Sequence, residues 1–268
     1  IDLGALINKR ISRFNVEKKY FDRILDKVKP EEIFLVVSYG KEELISSAEE
    51  RGIKVTEVQH GVISKYHMGY YFPFDCSIPY FPNKLVLFGR YWAESTNLPI
   101  NNKQIIQHFS QISKQEKNDS HTNKVEAVLF ISQASIGDKL SRVATSFANN
   151  NEVECYYKLH PSEFGNWKSK YPELAESADK ARIVVIKNEK SIYELFGICN
   201  YVVGVYSTAI YESLMHGCKT FLVNIEGYQY MDYLIQNGYV RLLTDKFSFN
   251  DLKDFSNKGI SNKSYFYL

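Results

Sequence analysis

Apolar, largely β-branched runs alternate with helical patterns throughout the second half of the chain. The runs cover residues 125–131, 153–157, 183–186, 201–205 and 220–223. Helical patterns lie between or after them, at residues 138–148, 167–177, 191–196, 208–215 and 230–236. Continuous apolar runs of this length are typical of strands that are buried on both faces of a parallel sheet. The pattern therefore predicts an α/β fold with a doubly wound parallel sheet, and it leaves the strand order open.

The first half of the chain repeats this alternation in a shorter form. A helical pattern over the first thirty residues ends at Pro30, and strand-like runs follow at 33–38, 55–58 and 84–88, the first of which reads as a buried strand. Residues 101–124 are rich in Asn, Gln, Lys and Ser and predict a linker. We expect two Rossmann-like domains, residues 1–100 and 125–268, whose parallel sheets face an interdomain cleft. The first is short for a complete domain and is expected to be truncated.

Composition excludes several classes of protein. The 33 basic and 31 acidic residues leave a formal net charge of +2, so no global field selects nucleic acid as a partner. Four scattered cysteines without a C-x-x-C pair predict buried thiols in a reducing compartment. No stretch approaches the roughly 20 apolar residues of a membrane span, and no signal peptide precedes the first helix. We expect a cytoplasmic protein.

A pair of hydroxyl residues, Ser207 and Thr208, follows the strand-like run at 201–205 and opens a helix. Hydroxyl groups at a helix start can cap backbone N–H groups, and the same N–H groups with the helix dipole attract a phosphate. Glu212 lies one turn further along the same face, within reach of a ribose. A plain N-cap and a solvated carboxylate are the alternative interpretations.

Lys158 and His160 alternate about Leu159 at the end of a strand, so extended backbone would place both side chains on one face. Pro161 then turns the chain out of the sheet. Histidine can donate to a phosphate oxygen or release a proton near neutral pH, so the pair predicts an anion or leaving-group site. A purely structural hydrogen bond from His160 is the alternative.

The segment Gln59-His60-Gly61 ends a strand in the first half. His60 at this place predicts a general base toward an acceptor hydroxyl, with a turn-capping role as the alternative. Gly61 permits a sharp turn or the close approach of a ligand. No set of His, Cys and Asp has metal-ligand spacing and no D-x-D pair is present, so we expect neither a metal nor a bound cofactor.

Familiar nucleotide and hydrolase motifs are absent from the sequence. The chain contains no G-x-x-x-x-G-K-[ST], no G-x-G-x-x-G and no G-x-S-x-G. These absences argue against a P-loop hydrolase, a standard dinucleotide fold and an α/β-hydrolase.

Four segments together carry a resemblance to a known group of enzymes. They are Gln59-His60-Gly61, Phe130-Ile131-Ser132-Gln133, Lys158-Leu159-His160-Pro161, and Ser207-Thr208 with Glu212. In this combination the chain resembles bacterial capsule and surface-polysaccharide glycosyltransferases of the GT-B type. That group includes sialyltransferases, Kdo transferases and CDP-glycerol glycerophosphotransferases. Many of these enzymes use cytidine-nucleotide donors.

The resemblance implies roles for several residues. It places His160, Ser207 and Thr208 at a CMP-like group, with Lys158 supporting the charge, and it adds Gln133 and Glu212 to the same nucleotide site. The His-Gly motif of the glycerophosphotransferases implies a base role for His60. The sialyltransferases instead use an acidic base in the first domain, which has no secure match here.

The function implied is direct displacement of the donor's phosphate by an acceptor hydroxyl, without a covalent intermediate. The expected partners are a nucleotide-sugar donor, CMP-linked, and a glycan or lipid-linked glycan acceptor beside the membrane surface. An aromatic loop over residues 66–81 would form an acceptor wall, or else be buried inside the domain. Three alternatives stay open: a glycerophosphotransferase-like enzyme, a nucleotide-sugar epimerase, and a non-catalytic glycan-binding or assembly subunit.

Overall fold

A computed structural model describes residues 2–74, 78–100, 105–107, 124–258 and 266. The chain divides into two compact units, residues 1–114 with 264–268, and residues 115–263. The domain limits predicted from the sequence, residues 1–100 and 125–268, lie close to this division except at residues 264–268. The functional roles of the two domains stay predictions.

The first unit contains a four-stranded parallel sheet in the order β1-β2-β3-β4. Its strands are β1 (Glu32–Leu35), β2 (Lys54–Val58), β3 (Lys84–Leu87) and β4 (Ile105–Gln107). Its helices are α1 (Leu3–Val28), α2 (Glu42–Glu49) and α3 (Arg90–Glu94). Helix α2 begins with two acidic residues, which suit the positive end of a helix dipole.

The second unit is built on a six-stranded, wholly parallel sheet. Its strands are β5 (Val125–Ile131), β6 (Glu154–Lys158), β7 (Val184–Ile186), β8 (Cys199–Gly204), β9 (Lys219–Val223) and β10 (Arg241–Leu243). Their spatial order is β10-β9-β8-β5-β6-β7. The chain therefore winds outward from β5 in one direction and returns to start again at β8, which is the doubly wound order with a switch point between β5 and β8.

Short helices connect these strands. They are α4 (Gly137–Asn150), α5 (Trp167–Lys170), α6 (Pro172–Asp179), α7 (Ile192–Ile198), α8 (Thr208–Met215), α9 (Asp232–Gln236) and α10 (Phe249–Lys253). Two 3₁₀ turns, Pro161–Glu163 and Tyr228–Met231, follow β6 and β9. The core lies between the sheet and its helices, where Phe130 of β5 packs edge-on against Phe147 of α4, both buried.

The structure confirms the five strands predicted for the second unit and, apart from the one over 167–177, the predicted helices, with shifted ends. It also holds β10, which the sequence pattern does not predict. The single helix predicted over 167–177 is wrong, because the chain breaks at Tyr171 into α5 and α6. Pro172 explains the break, since the residue before a proline is disfavoured in helical backbone.

Two predictions for the first unit also need correction. Strand β1 is shorter than predicted and is an edge strand rather than a buried one, with Phe34 66% exposed. Within the region read as a linker the structure places β4, which pairs in parallel with β3. The expected buried thiols are confirmed for Cys155, Cys199 and Cys218, and Cys76 lies outside the described residues.

Candidate functional site

The carboxyl ends of three neighbouring strands of the second unit bring the predicted nucleotide residues to one edge. Strand β8 leads into Ser207 and Thr208, its neighbour β5 leads into Gln133, and β6 ends at Lys158 just before His160. Ligands of open α/β sheets bind outside the carboxyl ends of the strands at the switch point. The topology therefore groups residues that lie up to 75 positions apart in the sequence.

Gln133 follows β5 by two residues and is half-buried. Its side-chain oxygen Oε1 is shielded from solvent and has no hydrogen-bond partner among the described residues. An unpaired buried amide oxygen costs free energy, on the order of 1–3 kcal/mol. A ligand that donates a hydrogen bond here would remove that cost.

His160 leaves β6 and caps the 3₁₀ turn Pro161–Glu163. Its ring nitrogen Nδ1 lies 2.7 Å from Ser162 Oγ and accepts from the Ser162 backbone N–H at 3.3 Å. Because Nδ1 acts as an acceptor, the neutral ring carries its proton on Nε2. The side chain is exposed, so Nε2–H is placed to donate to an incoming group.

A buried carboxylate, Glu163, supports the backbone of this turn. Its Oε2 accepts the backbone N–H of His160 at 2.7 Å. Its Oε1 accepts the Ser132 hydroxyl at 3.0 Å and the Tyr171 hydroxyl. The Tyr157 hydroxyl donates to Ser132 Oγ at 3.1 Å and extends the network. Glu163 was not among the residues predicted from the sequence, because its burial depends on contacts with residues at the ends of other elements.

Burial keeps the network's hydroxyls protonated. Desolvation is the main cause that raises the pKa of both Tyr157 and Tyr171, with Glu163 adding to the shift. Both tyrosines therefore stay hydrogen-bond donors throughout the neutral range.

Lys158 occupies a different position from the one its spacing suggested. Its Nζ donates to the backbone carbonyl of Lys187 and, at 2.7 Å, to that of Lys190. Burial lowers the pKa of Lys158, and the nearby carboxylates of Glu189 and Glu194 oppose this. The Lys158 ammonium thus holds the loop after β7 through two backbone carbonyls. The role of Lys158 in supporting the charge of a bound phosphate stays a prediction.

The start of α8 is capped as predicted. Ser207 has extended backbone, and its Oγ accepts the Ala209 N–H at 3.2 Å. Thr208 is the first residue of the helix and is half-buried. The hydroxyl cap is therefore observed, while phosphate binding at this helix start remains a proposal.

Glu212 lies one turn into α8 and is also half-buried. It interacts with Tyr193: burial raises the pKa of the Tyr193 hydroxyl, and the charge of Glu212 and a hydrogen bond to it add to the shift. The predicted contact with a ribose would have to share the carboxylate with Tyr193. That contact stays a prediction.

One tyrosine spans the switch point directly. The Tyr206 hydroxyl lies 2.7 Å from Ser135 Oγ, which joins the segment after β8 to the segment after β5. The Tyr206 ring packs edge-on against Tyr230 and covers Gly227, where an added Cβ would lie 2.3 Å from it. Tyr206 lies between the strand-like run 201–205 and Ser207, and a single tyrosine after a strand does not predict this bridge.

The segment Gln59-His60-Gly61 follows β2 in the first unit. The Gln59 side chain accepts the Phe88 N–H at 2.9 Å and donates to the Gly61 carbonyl at 2.8 Å. It thereby ties the end of β2 to the end of β3. His60 itself is exposed, and its role as a base is not tested.

A second buried carboxyl group, Glu57, lies in β2 near this segment. One oxygen accepts the Tyr70 hydroxyl, and the other is buried without a hydrogen-bond partner among the described residues. Burial raises the pKa of the Glu57 carboxyl, and the nearby Ser38 and Tyr70 groups oppose this only in part. Burial also lowers the pKa of His67, whose ring lies 4.7 Å from that of Tyr70. Glu57 was not predicted from the sequence, because a single Glu within a strand belongs to no recognisable motif.

In the part of the chain that the structure describes, no group of three or more His, Cys, Asp or Glu side chains is arranged to hold a metal ion. Within the same residues, no helix has the length and apolar character needed to cross a membrane. Metal independence stays a prediction.

Comparison with known proteins identifies a fold and no family. No protein-family model matches the chain, and no curated protein matches its sequence. Solved structures do match. UDP-GlcNAc 2-epimerase from Methanocaldococcus jannaschii, in complex with UDP-GlcNAc and UDP, aligns with a TM-score of 0.57 and 11% identity, over 94% of this chain and 78% of that one.

Two further structures align at similar levels. MnaA of S. aureus with UDP has a TM-score of 0.51 and 10% identity, over 90% of this chain and 70% of that one. MurG of Acinetobacter baumannii has a TM-score of 0.50 and 9% identity, over 90% of this chain and 68% of that one. Likeness at such identities shows the fold alone. The fold is α/β of the GT-B type with parallel sheets, as predicted.

Proposed function

We propose that the chain is a metal-independent GT-B glycosyltransferase that transfers a sugar from a nucleotide-activated donor to a bacterial surface glycan. The donor proposed is a CMP-sugar such as sialic acid or Kdo, and the phosphate of the nucleotide binds at the switch point of the second unit. One observation carries this proposal. Gln133, His160 and the start of α8 follow three neighbouring strands at the edge where open α/β sheets bind ligands.

The chemistry of these groups suits a leaving phosphate. In a direct displacement, the acceptor oxygen bonds to the anomeric carbon while the bond from that carbon to the phosphate oxygen breaks. The phosphate keeps the electron pair. His160 Nε2–H would donate to this oxygen, and the positive end of α8 would stabilise its charge. Groups fixed before the reaction need no reorganisation as the charge develops.

The acceptor hydroxyl must lose its proton in the same reaction. We assign this step to His60, on the resemblance to enzymes with a His-Gly motif. Exposure of the imidazole is compatible with the role, and the Gln59 side chain joins the Gly61 carbonyl, on one side of His60, to the Phe88 N–H at the end of β3. His60→Ala should lower turnover without changing nucleotide affinity. A loss of affinity with normal turnover at saturation would contradict the assignment.

The fold comparison favours a second candidate function. The neighbours described above include UDP-GlcNAc 2-epimerase in complex with UDP-GlcNAc and UDP. An epimerase would use the same phosphate site, but it would convert a nucleotide sugar without any acceptor. A transferase releases stoichiometric free nucleotide only when an acceptor is supplied.

Calorimetric titration of CMP, CDP, UMP and UDP tests the proposal. We expect CMP or CDP to bind in preference to the uridine nucleotides, and His160→Ala to weaken that binding. A preference for UDP would favour the epimerase or a UDP-sugar transferase. No binding by any of the four would contradict both enzymes and favour a non-catalytic glycan-binding subunit.

A further inference from the structure

The Glu163 carboxylate is 1% exposed and yet receives three hydrogen bonds from three different parts of the second unit. The donors are the His160 backbone N–H at the end of β6, the Ser132 hydroxyl at the end of β5, and the Tyr171 hydroxyl between α5 and α6. It is thus a direct link between the two strand ends that precede His160 and Gln133.

Turn capping alone does not require this burial. Two other capping boxes of the same unit pair Ser191 with Glu194 and Ser248 with Asp251. In each, a carboxylate accepts the backbone N–H of the cap residue, at 2.6 Å and 2.7 Å, in an exposed setting. Glu163 makes the same bond in the interior, where a carboxylate is costly unless its oxygens are fully hydrogen-bonded.

The packing around Glu163 also leaves little freedom. A Cβ on Gly137, at the start of α4, would lie 2.3 Å from Glu163 Oε1 and 2.1 Å from the Tyr171 hydroxyl. The Tyr157 hydroxyl bonds Ser132 Oγ and the Gly137 carbonyl, at 3.1 Å and 3.3 Å. The network therefore fixes the spacing between the β5 end, the His160 turn and α4.

We propose that Glu163 is the positioning residue of the nucleotide site, holding the His160 turn at a fixed distance from the Ser132–Gln133 end of β5. Glu163 itself touches no substrate in this assignment. The inference rests on the proposed function, since it concerns the same strand ends. Binding groups that are misplaced by about 1 Å can cost about 100-fold in rate, so such a link matters for catalysis.

Replacement of Glu163 by glutamine tests the link with minimal change in shape. A glutamine amide offers one acceptor oxygen and a donating NH₂ group. The glutamine NH₂ group would then lie opposite another donor, either the His160 N–H or the Ser132 and Tyr171 hydroxyls. We expect Glu163→Gln to weaken nucleotide binding and to lower kcat by about 10- to 100-fold. Asp251→Asn is the matched control, because it alters the same kind of capping bond in an exposed capping box. This control should change neither nucleotide binding nor kcat.

The state of the His160 ring provides a readout that loss of stability would not move. In wild-type protein, Nδ1 accepts from Ser162 and the proton lies on Nε2, a tautomer that nitrogen chemical shifts report. The His160 signal is assigned by its absence in His160→Gln. We expect Glu163→Gln to shift this signal at a temperature where the variant is fully folded, and Asp251→Asn to leave it in place.

The outcomes separate this inference from the proposed function. If the wild-type protein binds none of the four nucleotides, the proposed function fails, and the His160 signal still decides whether Glu163 positions the turn. A folded Glu163→Gln variant with an unchanged His160 signal or unchanged nucleotide affinity overturns the inference. If that variant does not fold, Tyr171→Phe removes one donor and keeps the carboxylate. In Tyr171→Phe, a smaller shift of the His160 signal and a smaller loss of nucleotide affinity would support the inference. No change in either would overturn it.

Discussion

Glu57 in the first unit and Glu163 in the second are both buried near the carboxyl end of a strand, but their hydrogen bonding differs. Both oxygens of Glu163 in the second unit accept hydrogen bonds. One oxygen of Glu57 in the first unit has no partner among the described residues, and burial raises the pKa of this carboxyl. The first arrangement fixes geometry, whereas the second favours the protonated, neutral form.

Glu163 therefore has a structural role, whereas Glu57 is a group that can change its protonation state. A carboxylate whose two oxygens both accept hydrogen bonds is held in one orientation, so it can hold the turn of an exposed histidine in place. A carboxyl group with an unpaired oxygen in a dry site responds to pH and to any ligand that reaches it. Strong perturbation of this kind is common at functional sites. Four predictions test the contrast.

The largest effect is expected from His160→Ala, which removes the exposed donor and leaves the Glu163 network intact. Turnover should fall by roughly 100- to 1000-fold, corresponding to about 2.7–4 kcal/mol of transition-state stabilisation. The midpoint of thermal unfolding should fall only slightly, because the variant loses the turn cap in which Nδ1 accepts the Ser162 N–H, while the side chain is otherwise exposed. Steady-state kinetics and a melting curve on the same preparation check both. Normal turnover would remove His160 from the mechanism.

Gly137→Ala disturbs the packing of the hydrogen-bond network around Glu163. The added Cβ would overlap the Tyr171 hydroxyl and Glu163 Oε1, so the free energy of unfolding should fall by about 1–3 kcal/mol. Gly165→Ala is the matched control, because a Cβ there meets no atom within 4 Å. Urea denaturation of both variants measures the difference. Equal stability of the two would show that the network is loosely packed.

Glu57→Gln tests the unpaired carboxyl of the first unit. Because the folded-state pKa is raised, the wild-type protein gains stability from protonated Glu57 below the unfolded value of roughly 4.3 and loses it as pH rises through the folded pKa. Glutamine is neutral at every pH and should abolish this loss. Unfolding free energies of both proteins between acid and neutral pH give the difference. A difference independent of pH would show that the pKa of Glu57 is not raised in the folded state.

The smallest effect on stability is expected for Gly61→Ala. Gly61 does not have a positive φ, and a Cβ there meets nothing within 4 Å. The free energy of unfolding should therefore change by at most about 0.5 kcal/mol. Lost turnover in this stable variant would indicate that a ligand approaches the Gly61 backbone. Unchanged turnover would leave the glycine without a role in the site.

The sequence was sufficient for elements with a clear apolar run or a periodic pattern and insufficient for short elements without one. Helix α8 lies where it was predicted, from Thr208 to Met215, because an apolar stripe and a hydroxyl cap mark it. Strand β7 has only three residues, but the apolar run at 183–186 predicts it. Strands β4 and β10 are equally short and were not predicted. The edge position of β1 depends on which strands pair, which no local pattern specifies.

For the candidate site, the sequence identified residues at strand ends and not the contacts between them. His160 was predicted because it follows an apolar run, and Gln133 was added by the resemblance to GT-B glycosyltransferases. Glu163 was missed, since its partners lie 3, 8 and 31 positions away and come together only after folding. Lys158 fits the expected spacing, but the carbonyls that bind its ammonium belong to a loop after another strand.

The most direct test of the account is a crystal structure of the protein with its preferred nucleotide bound. We expect the phosphate to lie within hydrogen-bond distance of His160 Nε2 and of the backbone at the start of α8, with Gln133 Oε1 accepting a hydrogen bond from the ligand. A nucleotide bound away from the carboxyl ends of β5, β6 and β8 would contradict it.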